Sequence, residues 1–321
     1  MTVSNARRRA LAALALTLPL AAFADDKPIE WVVGYAAGGG SDVVARTVAE
    51  HMSKTLGRPI VVNNKPGAAT NIAAEYVAKS KDIGNVVLTA DFATLAANPS
   101  LFAKLPYSPD KDFLPVGLLA RFPLILVVPE KSPIKNWKEF VAWAKAAPGG
   151  VDYASPGLGS PHHLATELLR ERTGLTFTHV PYRGAAPAVQ DLIGGQVPFG
   201  LIDSASVQQH LTSGKLRAIG VASARRLATF PEVPTLAEQG LTGFEAYAWQ
   251  GLVAPAGTPA PQVAQLAKAL QEALNATTVK ARFQTLSLEA LPGTPQQMAA
   301  YAKTERERWG KLIKDNGIHL D

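Results

Sequence analysis

Three glycines followed by a serine and an aspartate stand in "AAGGGSDVVARTVAEHM", residues 36 to 52, directly after the apolar run "WVVGY". A strand that ends in glycines and turns into an amphipathic helix lets something approach the backbone closely. The first turn of that helix carries unpaired N–H groups and a partial positive charge, which suits an anion. Nucleotide phosphate is excluded by spacing. A dinucleotide fingerprint needs G-x-G-x-x-G with an acid closing the next strand, and a P-loop needs G-K-[ST] at the helix start. Gly38, Gly39 and Gly40 are instead followed by Ser41, Asp42 and Val43, and the next strand, "PIVVNN", ends in amides. Taken alone the loop reads as a tight turn with Ser41 or Asp42 as the N-cap. A counterpart changes that reading: "VDYASPGLGSPHHLATELL", residues 151 to 169, again runs from strand through loop to helix. Ser155, Gly157, Gly159 and Ser160 offer hydroxyls and N–H groups at the C-terminal end of a strand, where ligands of open α/β sheets bind. The pair predicts a cleft with one anion-accepting lip on each side.

Catalytic chemistry finds less support. Ser132 to Lys135 fits S-x-x-K formally, but proline interrupts it and no S-D-N or K-T-G accompanies it. His162 and His163 are adjacent, so they cannot share a helix face as zinc-protease histidines do. His163 and Glu167 are four apart, yet two ligands make a poor metal site. A serine hydrolase using Ser160 with a nearby histidine is the remaining enzymatic alternative, and G-x-S-x-G is absent. The expectation is no catalytic residue, no metal and no cofactor.

The elements that must position these loops follow from periodicity. "WVVGY", "PIVVN" and "NVVLTA" are each followed by a helical pattern, the signature of βαβ units and a parallel sheet. "LILVVPE", "VDYAS", "FTHVPY", "VPFGLID" and "LRAIGVAS" repeat the alternation, so two α/β halves are expected, with the chain crossing between them at "RFPLILVV" and "EAYAWQGLVAP". Asn136 with Glu139, and Thr294 with Gln297, read as capping boxes. Ahead of all this, Arg7, Arg8 and Arg9 precede a short apolar run ending at Ala24, the pattern of a cleaved export signal over residues 1–24. No later segment has the roughly 20 apolar residues of a membrane span. The three leader arginines removed, 29 basic face 26 acidic side chains, a net +3 that is too weak and scattered for nucleic acid. With no cysteine, disulfides and thiolate metal sites are excluded.

A family resemblance runs along the same residues. "YAAGGGSDVVAR", "NNKPGAATNIAAEYVAKS", "NPSLFAKLPYSPDKDFLPV", "DYASPGLGSPHHLATELL", "HVPYRGAAPAVQDLIGGQV", "SGKLRAIGVASARR", "FPEVPTLAEQG" and "APAGTPAP" together resemble the Bug family, the TctC-like periplasmic solute-binding components of tripartite tricarboxylate transporters. The resemblance implies a type II periplasmic-binding-protein fold, an α/β architecture of two lobes joined by two crossover segments. Lobe 1 would be residues 25–122 plus 246–321 and lobe 2 residues 123–245. The cleft would close on a small carboxylate held by Gly38 to Asp42 and Ser155 to Ser160. It further implies a monomeric periplasmic receptor whose partners are transporter subunits of the membrane; presentation of the ligand to a sensor kinase is the alternative. Departures from the family pattern are Ala36 and Ala37 for a proline pair, Pro156 and Leu158 for polar residues, Ser204 after Asp203, and Asp91. Tyr35, Phe92, Tyr182 and Trp249 stand near strand ends or the second crossover and are candidates to line the pocket. Arg183 is the best cation near a strand end, and Asp91 either meets the ligand or caps the following helix. The resemblance implies Asp203 as a better ligand contact than Asp91, and His163 completes the set. The expected ligand is one anchored carboxylate on a largely apolar body, aromatic or medium-length; with the aromatics in the core it becomes an ordinary C4 to C6 acid.

Overall fold

The computed structural model describes residues 27–320; the predicted leader lies outside the described residues. The first β-branched run forms β1 (Ile29–Val33), buried except at Glu30, as expected of a strand covered on both faces. Helix α1 (Gly40–Leu56) ends at Gly57, whose left-handed conformation (φ 65°) stops it. It leads to β2 (Ile60–Asn64), and α2 (Asn71–Ala78) leads to β3 (Val86–Asp91). Both strands pair in parallel with β1. A π-helical stretch (Ala93–Ala97) and the short α3 (Asn98–Leu101) follow.

The next strand, β4 (Phe113–Pro129), is 17 residues long and belongs to both halves. Its first part pairs antiparallel with β9 (Tyr247–Pro255), from Phe113↔Pro255 to Pro123↔Tyr247. From Leu124 onward it pairs with β7 (Phe199–Asp203) and β8 (Leu216–Val221). The switch falls inside "RFPLILVV". Between these strands come α4 (Trp137–Ala146), β5 (Val151–Ser155), α5 (Pro161–Thr173), β6 (Phe177–Pro181), α6 (Ala185–Gly194) and α7 (Ser204–Thr212). The second half is again parallel where helices cross, β5 lying between β6 and β7. The order is β2-β1-β3-β9-β4-β7-β5-β6. The C-terminal helices α8 (Ala260–Asn275) and α9 (Thr277–Thr285) pack on α1, and a two-residue β10 (Glu289–Ala290) pairs with β4. Helix α10 (Pro295–Asp315) covers α3, β4 and residues 93–97. Its N-terminus is the predicted capping box: Thr294 accepts from Gln297 N–H while Gln297 accepts from Thr294 N–H. Asn136 likewise caps α4, although Glu139 reaches back to the N–H of Lys135 rather than of Asn136.

Two pocket expectations are corrected by this packing. Trp249 is completely buried, its Nε1 donating to Glu305 Oε2 (3.1 Å) and its ring edge-on to Tyr301. Phe92, equally enclosed, meets Trp309 edge-on with ring centroids 5.4 Å apart. Both belong to the core beneath α10. The cause is strand alternation: on β9 the side chain of Trp249 goes to the α10 face, which sends Gln250 to the α1 face.

Candidate ligand-binding site

The first lip is shaped by its own side chains. Gly39, in extended conformation (φ −76°, ψ 169°), precedes the helix, and Gly40 is its first residue, so Ser41 and Asp42 lie inside the first turn rather than at the cap. Gly38 has φ +83°, a left-handed conformation that a side chain would strain. Its N–H donates to Asp42 Oδ2 (2.9 Å). Arg46 Nε contacts both Asp42 oxygens (3.0 and 2.9 Å) and its Nη2 reaches Asn64 Oδ1 (3.1 Å). Asn64 in turn donates to the carbonyl of Tyr35 (2.9 Å), so the amides closing β2 brace the lip. Burial alone would raise Asp42, but these donors hold its carboxyl below the ordinary range. Ser41 Oγ accepts from Gln250 Nε2. What the lip leaves open are the first-turn N–H groups of α1.

The second lip follows the same plan. Ser155 is wholly buried: Oγ accepts from Gly157 N–H (3.1 Å) and lies 2.5 Å from His179 Nε2. Ser160 is the N-cap of α5, its Oγ accepting from His163 N–H (3.2 Å). His163 Nδ1 accepts from Gly159 N–H (3.0 Å). A methyl group on Gly159 would stand 2.6 Å from Leu101 Cδ1 and 3.0 Å from Leu320 Cδ1, so the lip rests on α3 and the C-terminal segment. Behind it the rings of His163, His179 and Tyr153 stack, the two imidazoles 4.1 Å apart. Burial lowers both imidazoles to about 4, so they are neutral near pH 7. The expectation that Ser155 offers its hydroxyl to a ligand is corrected, because that side chain is buried and bonded within the loop, whereas Ser160 Oγ serves the loop only as an acceptor.

The two lips converge on the start of α7. A methyl group on Gly40 would lie 3.1 Å from Phe122 Cε1 and 3.9 Å from Ala205 Cβ. Asp203, the N-cap of α7, accepts from Ser206 N–H (3.0 Å) and Ser206 Oγ (2.8 Å), and its Oδ2 meets His162 Nε2 of α5 (3.1 Å). Burial opposes its ionisation, yet His162 and Ser206 outweigh it and keep the carboxyl below its usual value. Three helix N-termini, those of α1, α5 and α7, therefore meet in one region.

The remaining predicted residues divide. Asp91 is a cap: Oδ1 accepts from Thr94 N–H and Oγ1 (both 2.9 Å), and Oδ2 accepts from the Tyr35 hydroxyl. Burial raises the pKa of Asp91, and burial with the adjacent carboxylate raises Tyr35. Tyr35 as a whole residue is 37% exposed, beside the first lip. Tyr182 donates its hydroxyl to Asp191 (2.7 Å) and its N–H to the Ser155 carbonyl (2.9 Å), which holds the second lip from behind. Arg183 is exposed next to it. Sequence reading missed Gln250, Phe122, Ala205 and His162. It also missed a strained loop: Ala68, Ala69 and Thr70 all have left-handed φ (46°, 49° and 72°). Thr70 Oγ1 bonds Thr94 Oγ1 (2.8 Å), and Asn98 Nδ2 holds the Ala69 carbonyl (2.7 Å), so the strain is fixed from beneath by neighbours of Asp91. The signal for Gln250 was present, since it is the one strongly polar residue in the apolar strand "YAWQGLVAP".

Against known proteins, the model of the tripartite tricarboxylate transporter family receptor, TctC, matches residues 44–318. The chain belongs to the TctC family. TctC proteins are solute-binding receptors rather than enzymes. The periplasmic binding protein BugD superposes with a TM-score of 0.83 at 35% identity, covering 92% of this chain and 99% of its own. An R. palustris protein solved with adipate gives 0.86 at 32% identity, with the same coverages. MatC from Rhodopseudomonas palustris, with bound malate, gives 0.80 at 36% identity over 89% of this chain and 99% of its own. The fold is thus the mixed α/β fold of periplasmic binding proteins. No described helix is long and apolar enough to cross a membrane.

Proposed function

We propose that this TctC-family protein is an exported receptor that closes two lobes over a small dicarboxylate of four to six carbons and delivers it to a tripartite tricarboxylate-type transporter. The observation that carries the reading is the convergence of three helix N-termini in a region where the acidic side chains are already paired. Asp42, Asp91 and Asp203 each accept hydrogen bonds from donors of their own, which offsets part of their repulsion of an anion. One helix terminus contributes about 0.3–1 kcal/mol to a nearby charge, whereas micromolar binding requires about 8 kcal/mol. Even three termini fall short. Charge-assisted hydrogen bonds at roughly 1.5–3 kcal/mol each supply the rest, and both lips must reach the ligand to provide enough of them. Burial of Trp249 and Phe92 removes two of the aromatics that argued for an aromatic ligand body, which favours an aliphatic acid. Relatives solved with adipate and malate support the same size range. Lobe 1 comprises residues 25–122 and 246–321 and lobe 2 residues 123–245, with the crossings in β4 and just before β9. Thermal-shift screening of mono-, di- and tricarboxylates tests the function: stabilisation by C4–C6 dicarboxylates is expected, and stabilisation by citrate or benzoate alone would overturn it.

A further inference from the structure

Gln250 occupies an uncommon position for an amide. It lies in β9, its Cα opposite Asp91 of β3 on one side and Ala120 of β4 on the other. Only 5% of it is exposed. Nε2 donates to Ser41 Oγ in the first turn of α1, while Oε1 is buried and has no partner. A buried amide oxygen without a donor is costly, and such groups are rare unless a ligand or water completes them. The first turn of the 17-residue α1 is also where the unpaired N–H groups of the first lip point. Two independent features, a helix terminus for an anion and an unpaired acceptor beside it, thus share one place.

We propose that Gln250 is a specificity-determining residue whose Oε1 accepts a hydrogen bond from a hydroxyl carried by the ligand close to its anchored carboxylate, so that the preferred ligands are hydroxylated acids. The inference rests on the carboxylate-receptor reading and deepens it. A hydroxyl is proposed rather than an ammonium because the neighbouring carboxylates already accept other donors, Asp91 those of Tyr35 and Thr94 and Asp203 those of Ser206 and His162. Nearby Phe122 and Ala205, against which Gly40 packs, are apolar and offer no competing acceptor. Selectivity of this kind is strong for its size, because an acid lacking the hydroxyl leaves the buried oxygen unpaired.

The test is calorimetric titration of the full mature chain with malate, succinate and fluorosuccinate, in wild type and in Gln250→Met and Gln250→Glu. Wild type is expected to bind malate at least about tenfold more tightly than succinate, with fluorosuccinate, which fills the hydroxyl position without a donor, close to succinate. Gln250→Met should bring malate down to the level of succinate and leave succinate nearly unchanged. Gln250→Glu, which keeps an acceptor but adds charge, should weaken both while preserving the preference. Equal binding of malate and succinate by wild type overturns the proposal, as does fluorosuccinate matching malate or a Gln250→Met variant that weakens all three equally. A preference for oxaloacetate over malate also overturns it, since the amide would then be a donor. Should the variants fail to fold, the three ligands on wild type still decide. If adipate and other unsubstituted dicarboxylates bind and malate does not, the hydroxyl inference fails while the receptor reading stands; if no carboxylate binds, both fail.

Discussion

Gly40 shows what a single hydrogen atom in place of a side chain does in this site. A Cβ there would press on Phe122 at 3.1 Å and project toward Ala205, between the first lip and α7. Gly40→Val is therefore expected to reduce carboxylate affinity at least about tenfold, or roughly 1.4 kcal/mol, with a circular dichroism spectrum like wild type; unchanged affinity by calorimetry would remove the first lip from the site. Ala69 presents the opposite case. Its φ of 49° costs of order 1–3 kcal/mol in a non-glycine residue, held by Asn98 and Thr94 beneath. Ala69→Gly should raise stability in urea unfolding by up to about 1 kcal/mol, since glycine's greater unfolded-chain entropy takes back part of the relief. A lower stability would mean that the loop is unstrained. Glycine positions were legible in the sequence because few residues other than glycine tolerate left-handed backbone or close approach. The roles of Ser155, Trp249 and Phe92 were not, because whether a hydroxyl or a ring faces ligand or core depends on neighbours more than twenty residues away, His179, Glu305 and Trp309 among them.

At the scale of elements, strand and helix types followed from local pattern. The short β-branched runs became β1 to β9, and the Thr294–Gln297 box starts α10 as its spacing indicates. Thr294→Ala should lower stability by about 1 kcal/mol, measured by urea unfolding. The length of β4 was less legible: "FLPVGLLARFPLILVVP" contains three prolines and a glycine, which read as breaks, yet register shifts against β9 absorb the irregularity. Between β5, β6 and α5 the stacked rings give an element-level pH dependence. His163 and His179 are held near 4 by burial, with His163 adding to the lowering at His179 and Glu167 opposing it. In the unfolded chain both titrate near about 6.5. Between roughly pH 6.5 and 4 the unfolded state binds protons that the native state refuses, so stability falls with decreasing pH, by up to about 1.4 kcal/mol per pH unit for each histidine. Below both values the loss levels off. His179→Phe should reduce that slope, whatever it does to stability at pH 7; an undiminished slope in urea titrations from pH 7 to 4 would place the acid sensitivity elsewhere.

The whole molecule is tied together by strands and cores that do not respect the two halves. β4 serves β9 with its first part and β7 and β8 with its second. One hydrophobic cluster runs from Val32 and Leu88 through Leu124 and Leu126 to Tyr153, Phe199 and Trp309. Further links cross at Ser287, whose carbonyl accepts from Ser204 Oγ (2.9 Å) and whose hydroxyl pairs with Thr229 Oγ1 (2.6 Å). A lobe that loses its share of β4 also exposes part of that common core, so neither half can melt alone without a cost of many buried side chains. Differential scanning calorimetry should therefore show one cooperative transition, with calorimetric and van't Hoff enthalpies agreeing. A dicarboxylate at 100 times its dissociation constant should add about 2.7 kcal/mol, moving that single transition upward by roughly 4 °C for a chain of this size. A ligand that must be gripped by both lips stabilises both halves at once, and the peak should move without splitting. Two resolved transitions, or a ligand that shifts only one of them, would mean that the lobes fold independently and that the ligand is held by one lip.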